Sequence, residues 1–128
     1  MKKLLFMLAL IGLLPLATQA QNIVQTRVIG NASYTNTLVA SYKPTKLFAV
    51  TGYNSGSLQY IQVFQSSAPT NGMIPIFSIP VAATQYFSID FSYYGADLDK
   101  ITVCNSSTAD TLTKGSSNCG LQAIIRAN

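Results

Sequence analysis

The chain has 128 residues, eight Lys and Arg against four Asp and Glu, 48% hydrophobic residues, and neither histidine nor tryptophan. Without histidine the usual general base near neutral pH and the commonest zinc ligand are missing, which argues against hydrolytic triads and zinc chemistry. The basic residues are scattered singly, so the chain lacks the clustered cationic face that nucleic acid requires, and no nucleic-acid partner is expected.

In chain order, Met1, Lys2 and Lys3 precede residues 4–17, which are apolar apart from Gly12 and Pro15, and small residues follow up to Ala20. This pattern reads as a secretory signal peptide with a mature chain starting at Gln21. The apolar run is shorter than the roughly 20 residues of a spanning helix. An uncleaved membrane anchor is the weaker alternative, because nothing like a stop-transfer segment follows. No Cys near the junction suggests lipidation. The expected organisation is residues 1–20 as signal peptide and residues 21–128 as one domain, periplasmic or extracellular, with no stable membrane insertion after cleavage. Loss of Lys2 and Lys3 leaves six basic residues against four acids, close to neutral.

Past Gln21 the chain shows short β-branched or alternating runs and no 3.6-residue periodicity. Residues 23–29 offer Val24, Thr26 and Val28 on one face, and residues 37–41 form a short second strand. Residues 46–53 alternate Phe48 and Val50 with Leu47, Ala49 and Thr51, and Asn54, Ser55 and Gly56 supply a turn. Residues 58–65 then return as a hairpin partner, with Ile61 and Val63 opposite Tyr60 and Phe64. In residues 74–81, Phe77, Ile79 and Val81 share a face, and Pro75 and Pro80 place the run at a sheet edge. Residues 85–91 carry Phe87, Ile89 and Phe91 inward against Tyr86, Ser88 and Asp90 outward. Residues 98–104 and 120–126 complete seven or eight short strands. The expected fold class is all-β: a two-sheet, jelly-roll-like β-sandwich.

Cys104 and Cys119 are the only cysteines. In an oxidising compartment they are expected to form a structural disulfide clipping a late hairpin. Their spacing is not that of a redox CxxC, and no base accompanies them for thiol catalysis. Asp90, Asp97 and Asp99 offer carboxylates, but Asp97 and Asp99 sit in a turn where acids are common. A weak calcium site at Asp97 and Asp99, with Asn105 near, departs far from a twelve-residue calcium loop. No catalytic residue, metal or cofactor is therefore expected, and the chain reads as a non-enzyme.

Seven tyrosines provide apolar area with a polar tip, suited to ordinary packing, to protein contacts or to sugar stacking. Tyr60, Phe64 and Tyr86 are the candidate interaction surface, with a protein partner or a second copy as preferred occupant and a glycan as the alternative. Asn31 and Asn105 head glycosylation sequons, relevant only in a cell that uses them.

Several segments resemble those of small β-sandwich proteins of the phage virion-associated and hypothetical bacterial type. The matching residues are Leu38, Val39, Ala40 and Ser41, then Lys46, Leu47, Phe48, Ala49 and Val50 before Gly52, Tyr53 and Asn54. They continue through Tyr60, Ile61, Gln62, Val63 and Phe64, Ala68, Pro69 and Thr70, and Pro75 to Val81, ending at Phe91, Gly95, Leu98 and Thr102. The resemblance implies a structural protein displayed in repeated copies, with no catalytic residues to carry over. The presequence and the cysteine pair depart from that pattern and point instead to a cellular exported protein, or to an assembly surface reused outside the membrane.

Overall fold

The computed structural model describes residues 25–128; the expected signal peptide lies outside them. Nine strands form among these residues: β1 (Thr26–Gly30), β2 (Thr37–Ser41), β3 (Thr45–Asn54), β4 (Gln59–Phe64), β5 (Phe77–Val81), β6 (Gln85–Asp90), β7 (Ala96–Leu98), β8 (Ile101–Ser106) and β9 (Cys119–Ala127). They make two antiparallel sheets, not closed into a barrel. The larger has the order β1-β9-β3-β6, with β7 beside the first residues of β3, and the smaller has the order β2-β8-β4-β5.

Period-two alternation sends one face of each sheet inward. Leu47, Val50, Ile89, Leu121, Ala123 and Ile125 of the larger sheet meet Leu38, Ile61, Val63, Val81, Ile101 and Val103 of the smaller. Phe87 and Phe91 pack against this core while Tyr86 faces out, as the alternation of residues 85–91 requires. The proline-bearing strand β5 lies at an edge, paired only with β4, where Pro80 stands opposite Tyr60.

Connectivity differs from the expected hairpins. β3 and β4 fall in opposite sheets, as do β8 and β9, so the short link after Asn54 and the longer one after Ser106 carry the chain across the sandwich. The run at 98–104 splits, because Asp99 and Lys100 turn the chain from β7 in one sheet to β8 in the other.

The expected disulfide does not form: Cys104 and Cys119 are both free thiols, fully buried. The reason is strand parity. On β8, Ile101 and Val103 face the core, so Cys104 faces away from it, beside Phe64 and Leu112 and 3.7 Å from the Thr37 hydroxyl. Cys119 belongs to the other sheet and faces inward. The two sulfurs therefore occupy different sides of the smaller sheet.

Cys119 has a different job. Its Sγ accepts a contact from Asn105 Nδ2 at 3.4 Å and lies 3.8 Å from Asn54 Oδ1. Asn54 and Asn105 are themselves fully buried. The Asn54 amide donates to the carbonyls of Ser57, Val81 and Ala82 at 2.7, 3.2 and 3.0 Å, fastening the β3–β4 and β5–β6 crossovers. Asn105 donates to Ser116 O and Asn118 Oδ1 at 2.8 and 2.9 Å, fastening the crossover into β9. A buried sequon asparagine held this way has no free amide to modify, unlike the exposed Asn31.

Replacing Asn54 with Ala would strand these carbonyls in a dry environment, each at a cost of about 1–3 kcal/mol. Urea denaturation is expected to show Asn54→Ala destabilised by about 3 kcal/mol with the denaturant slope retained.

Burial pushes both thiols above the ordinary cysteine range, with the contacts to Thr37 and Asn105 and the Lys114 charge acting the other way. The folded state then holds the thiol protons more tightly than the unfolded state. Stability is complete below the unfolded thiol value of about 8.5 and declines as pH rises past it. Alkylation in denaturant without reductant is expected to modify both cysteines, and reductant should leave the melting temperature unchanged. A native protein that accepts no alkyl group after unfolding would restore the disulfide.

Candidate functional site

The outer face of the larger sheet carries the most distinctive side-chain arrangement. Cross-strand register sets Tyr86 of β6 opposite Tyr53 of β3, and Tyr53 opposite Gly120 of β9. One step along the strands, Ser88, Thr51 and Gln122 form a parallel polar row. Tyr34, from the β1–β2 connection, comes over Gly120 from the far side. The three rings make a row, with centroids 6.5 Å apart from Tyr34 to Tyr53 and 4.6 Å from Tyr53 to Tyr86.

Two glycines shape this surface in different ways. A Cβ on Gly52 would sit 1.9 Å from the Gly120 carbonyl oxygen and 2.7 Å from the Phe87 ring, so the strands approach closely only because Gly52 has none. Phe87, its cross-strand partner, covers the bare backbone with its ring. At Gly120 the Tyr34 ring lies over the backbone, and an added Cβ would make ordinary van der Waals contact with it at 3.5 Å. The absent side chain there makes room for the Tyr34 ring beside Tyr53.

The resulting groove encloses about 420 Å³ and runs into a neighbouring hollow of about 460 Å³ that shares Asn31 and Gly120 with it. That size falls within the range of small-ligand clefts. No charged residue lines either part. Thr51 Oγ1 donates to Gln122 Oε1 at 3.5 Å, a long bond, and Asn31 Nδ2 donates to the Thr37 carbonyl at 3.3 Å. A further hollow of about 540 Å³ opens between the edge strands β1 and β2, with Gln25, the first described residue, on its rim.

The structure separates the three residues expected to form one surface. Tyr86 stands 85% exposed at the groove. Tyr60 is half-buried on the outer face of the smaller sheet, the opposite side of the sandwich. Phe64 is only 1% exposed, packed with Cys104 and Leu112. The lid over this side is the segment following β8, whose Thr108, Ala109 and Thr111 carbonyls accept hydrogen bonds from the buried Gln62 amide at 2.9, 3.0 and 3.3 Å. Phe64 is therefore internal and offers nothing to a partner.

The acidic turn is occupied by other work. Asp97 pairs with Lys46 Nζ at 2.8 Å and accepts from Asn128 Nδ2 at 3.2 Å. The Lys46 hydrogen bond, ahead of the smaller Asn128 contribution, holds its carboxyl below the usual range. Asp99 accepts from Gln65 Nε2 at 3.0 Å, and Asn105 lies buried near the other end of β8. Among the described residues no three His, Cys, Asp or Glu side chains gather where a metal ion would sit, and no helix is long and apolar enough to cross a membrane.

Sequence reasoning found Tyr86 and missed Tyr34, Tyr53 and Gly120. The available clue was a glycine beside a tyrosine within a strand-like run, Gly52 before Tyr53, since strand glycines often mark a close approach. Comparison of the chain with protein-family models, curated proteins and solved structures gives no match.

The two glycines should respond differently to the same methyl group. Gly52→Ala is expected to cost about 3 kcal/mol or more, whereas Gly120→Ala should stay within about 1 kcal/mol of the parent, both read from chemical denaturation.

Proposed function

We propose that the protein is an exported, non-enzymatic interaction module whose working surface is the outer face of β3, β6 and β9. The observation that carries this reading is the row of Tyr34, Tyr53 and Tyr86, open to solvent on a rigid sheet and bordered by uncharged polar groups. Large rings with few rotatable bonds give contact area at low entropic cost, which suits them to a binding surface. Export is supported by the presequence pattern of residues 1–20. The resemblance to virion-associated sandwiches supports a structural or display role in place of turnover.

Self-association of copies through this face is the second reading, favoured by the 85% exposure of Tyr86 on a strand at the sheet edge. It predicts a light-scattering mass that rises with concentration, and a monomer at every concentration would leave the face to a foreign ligand.

Two measurements check the proposal. Expression of the full chain in a bacterial host should yield periplasmic protein beginning at Gln21, and cytoplasmic protein retaining Met1 would overturn export. Tyr86→Ala should weaken association tenfold or more, as removal of an exposed aromatic anchor does. Tyr60→Ala, on the opposite sheet, should leave it within about twofold. Equal effects would overturn the assignment of the face.

A further inference from the structure

The groove has a chemistry that narrows its occupant. Its lining carries no ionisable acid or base among Asp, Glu, Lys and Arg, so nothing there compensates the desolvation of a charged ligand. Besides the tyrosine hydroxyls, its polar side chains are three hydroxyls, Thr51, Ser88 and Ser33, and two amides, Gln122 and Asn31. Each of these can donate and accept hydrogen bonds. That dual capacity matches a ligand whose own polar groups are hydroxyls, and it is wasted on a ligand made only of acceptors. The apolar part of the lining is the row of tyrosine rings, which offers flat faces to a ligand with an apolar face of its own.

Shape agrees with chemistry. Gly120 lets the Tyr34 ring settle onto the sheet beside Tyr53, so the rings form the wall along which a ligand ring can lie. The groove also continues, through the shared Asn31 and Gly120, from the Tyr86 side to the Tyr34 side. A ligand of several linked rings fits such a trough better than a single ring does. The long Thr51–Gln122 contact, at 3.5 Å, is one that a ligand hydroxyl would readily replace.

Resting on the reading of this face as a binding surface, we propose that the groove binds a neutral oligosaccharide, its sugar rings stacked along Tyr34, Tyr53 and Tyr86 and its hydroxyls paired with Thr51, Ser88, Gln122 and Asn31. Gly120 positions the row, because a side chain larger than methyl there would displace the Tyr34 ring. Tyr86 closes one end of the row and Tyr34 the other.

The test uses the purified full chain with cellotetraose, xylotetraose, maltotetraose and chitotetraose as neutral probes and tetragalacturonate as the acidic control. Titration calorimetry should show saturable binding of at least one neutral probe with a Kd at or below about 1 mM, and none of the acidic control. Chemical-shift changes on binding should centre on Tyr34, Tyr53, Tyr86 and Gly120. Tyr86→Ala should weaken binding tenfold or more. Gly120→Val, whose branched side chain displaces the Tyr34 ring, should weaken binding at least tenfold; if that variant fails to fold, Gln122→Ala with Thr51→Ala, on the exposed polar row, should weaken binding at least tenfold in its place. Absence of saturable binding to all four neutral probes overturns the inference, as does preference for the acidic control or binding indifferent to the groove variants. Failure here together with Tyr86-dependent self-association removes the saccharide and keeps the face as a contact surface. Failure of both removes both.

Discussion

The sandwich hangs on one buried polar joint, Asn54, Cys119 and Asn105, at the end where β3, β8 and β9 come together. Most successive strands change sheets, so the backbone groups of the crossovers must be satisfied inside the protein. Asn54 supplies the β3–β4 and β5–β6 links, Asn105 supplies the link into β9, and the Cys119 thiol lies between the two amides. The carbonyls these amides reach would otherwise each carry a desolvation penalty, although the Asn105 Oδ1 itself stays buried without a partner. The cysteine matters here as a small buried thiol, and oxidation would take it out of the joint.

The same joint sets up the groove. Cys119 is the first residue of β9, and its pairing with Asn54 places Gly120 beside Tyr53 and Leu121 beside Gly52. Gly52 allows the close approach of the two strands, and Gly120, opposite Tyr53, gives the Tyr34 ring its seat. Core polarity, strand register and the open tyrosine row are thus successive consequences of one short stretch of sequence on each strand.

Element positions were legible in the sequence because period-two alternation is local. Thr37–Ser41 has the same bounds in both readings, and the inward set Phe87, Ile89 and Phe91 follows from side-chain parity alone. Partners were not legible. Residues 46–53 and 58–65 look like a hairpin, since a turn at Asn54, Ser55 and Gly56 serves equally for a reversal within one sheet and for a step to the next; the buried Asn54 amide decides it, and burial is invisible in sequence. The disulfide expectation failed for a related reason: export chemistry and spacing speak to whether two thiols might meet, while strand parity turns Cys104 away from Cys119. At the site, Tyr86 was found from its place on an alternating strand, but Tyr34 arrives from a connection and Gly120 from a distant strand, a juxtaposition set by register.

The position of β9 has a consequence for how the chain folds. This last strand lies in the middle of the larger sheet, between β1, the first described strand, and β3. Until Cys119–Ala127 arrives, β1 has no ladder partner in that sheet and the inner ends of the crossovers have no Cys119 to close on. Only β4 and β5 form a local hairpin, so nearly all pairing must wait for distant segments, the topology of slow folders. The larger sheet therefore cannot join β1 to β3 until β9 has been made and has inserted between them, however early the other strands pair.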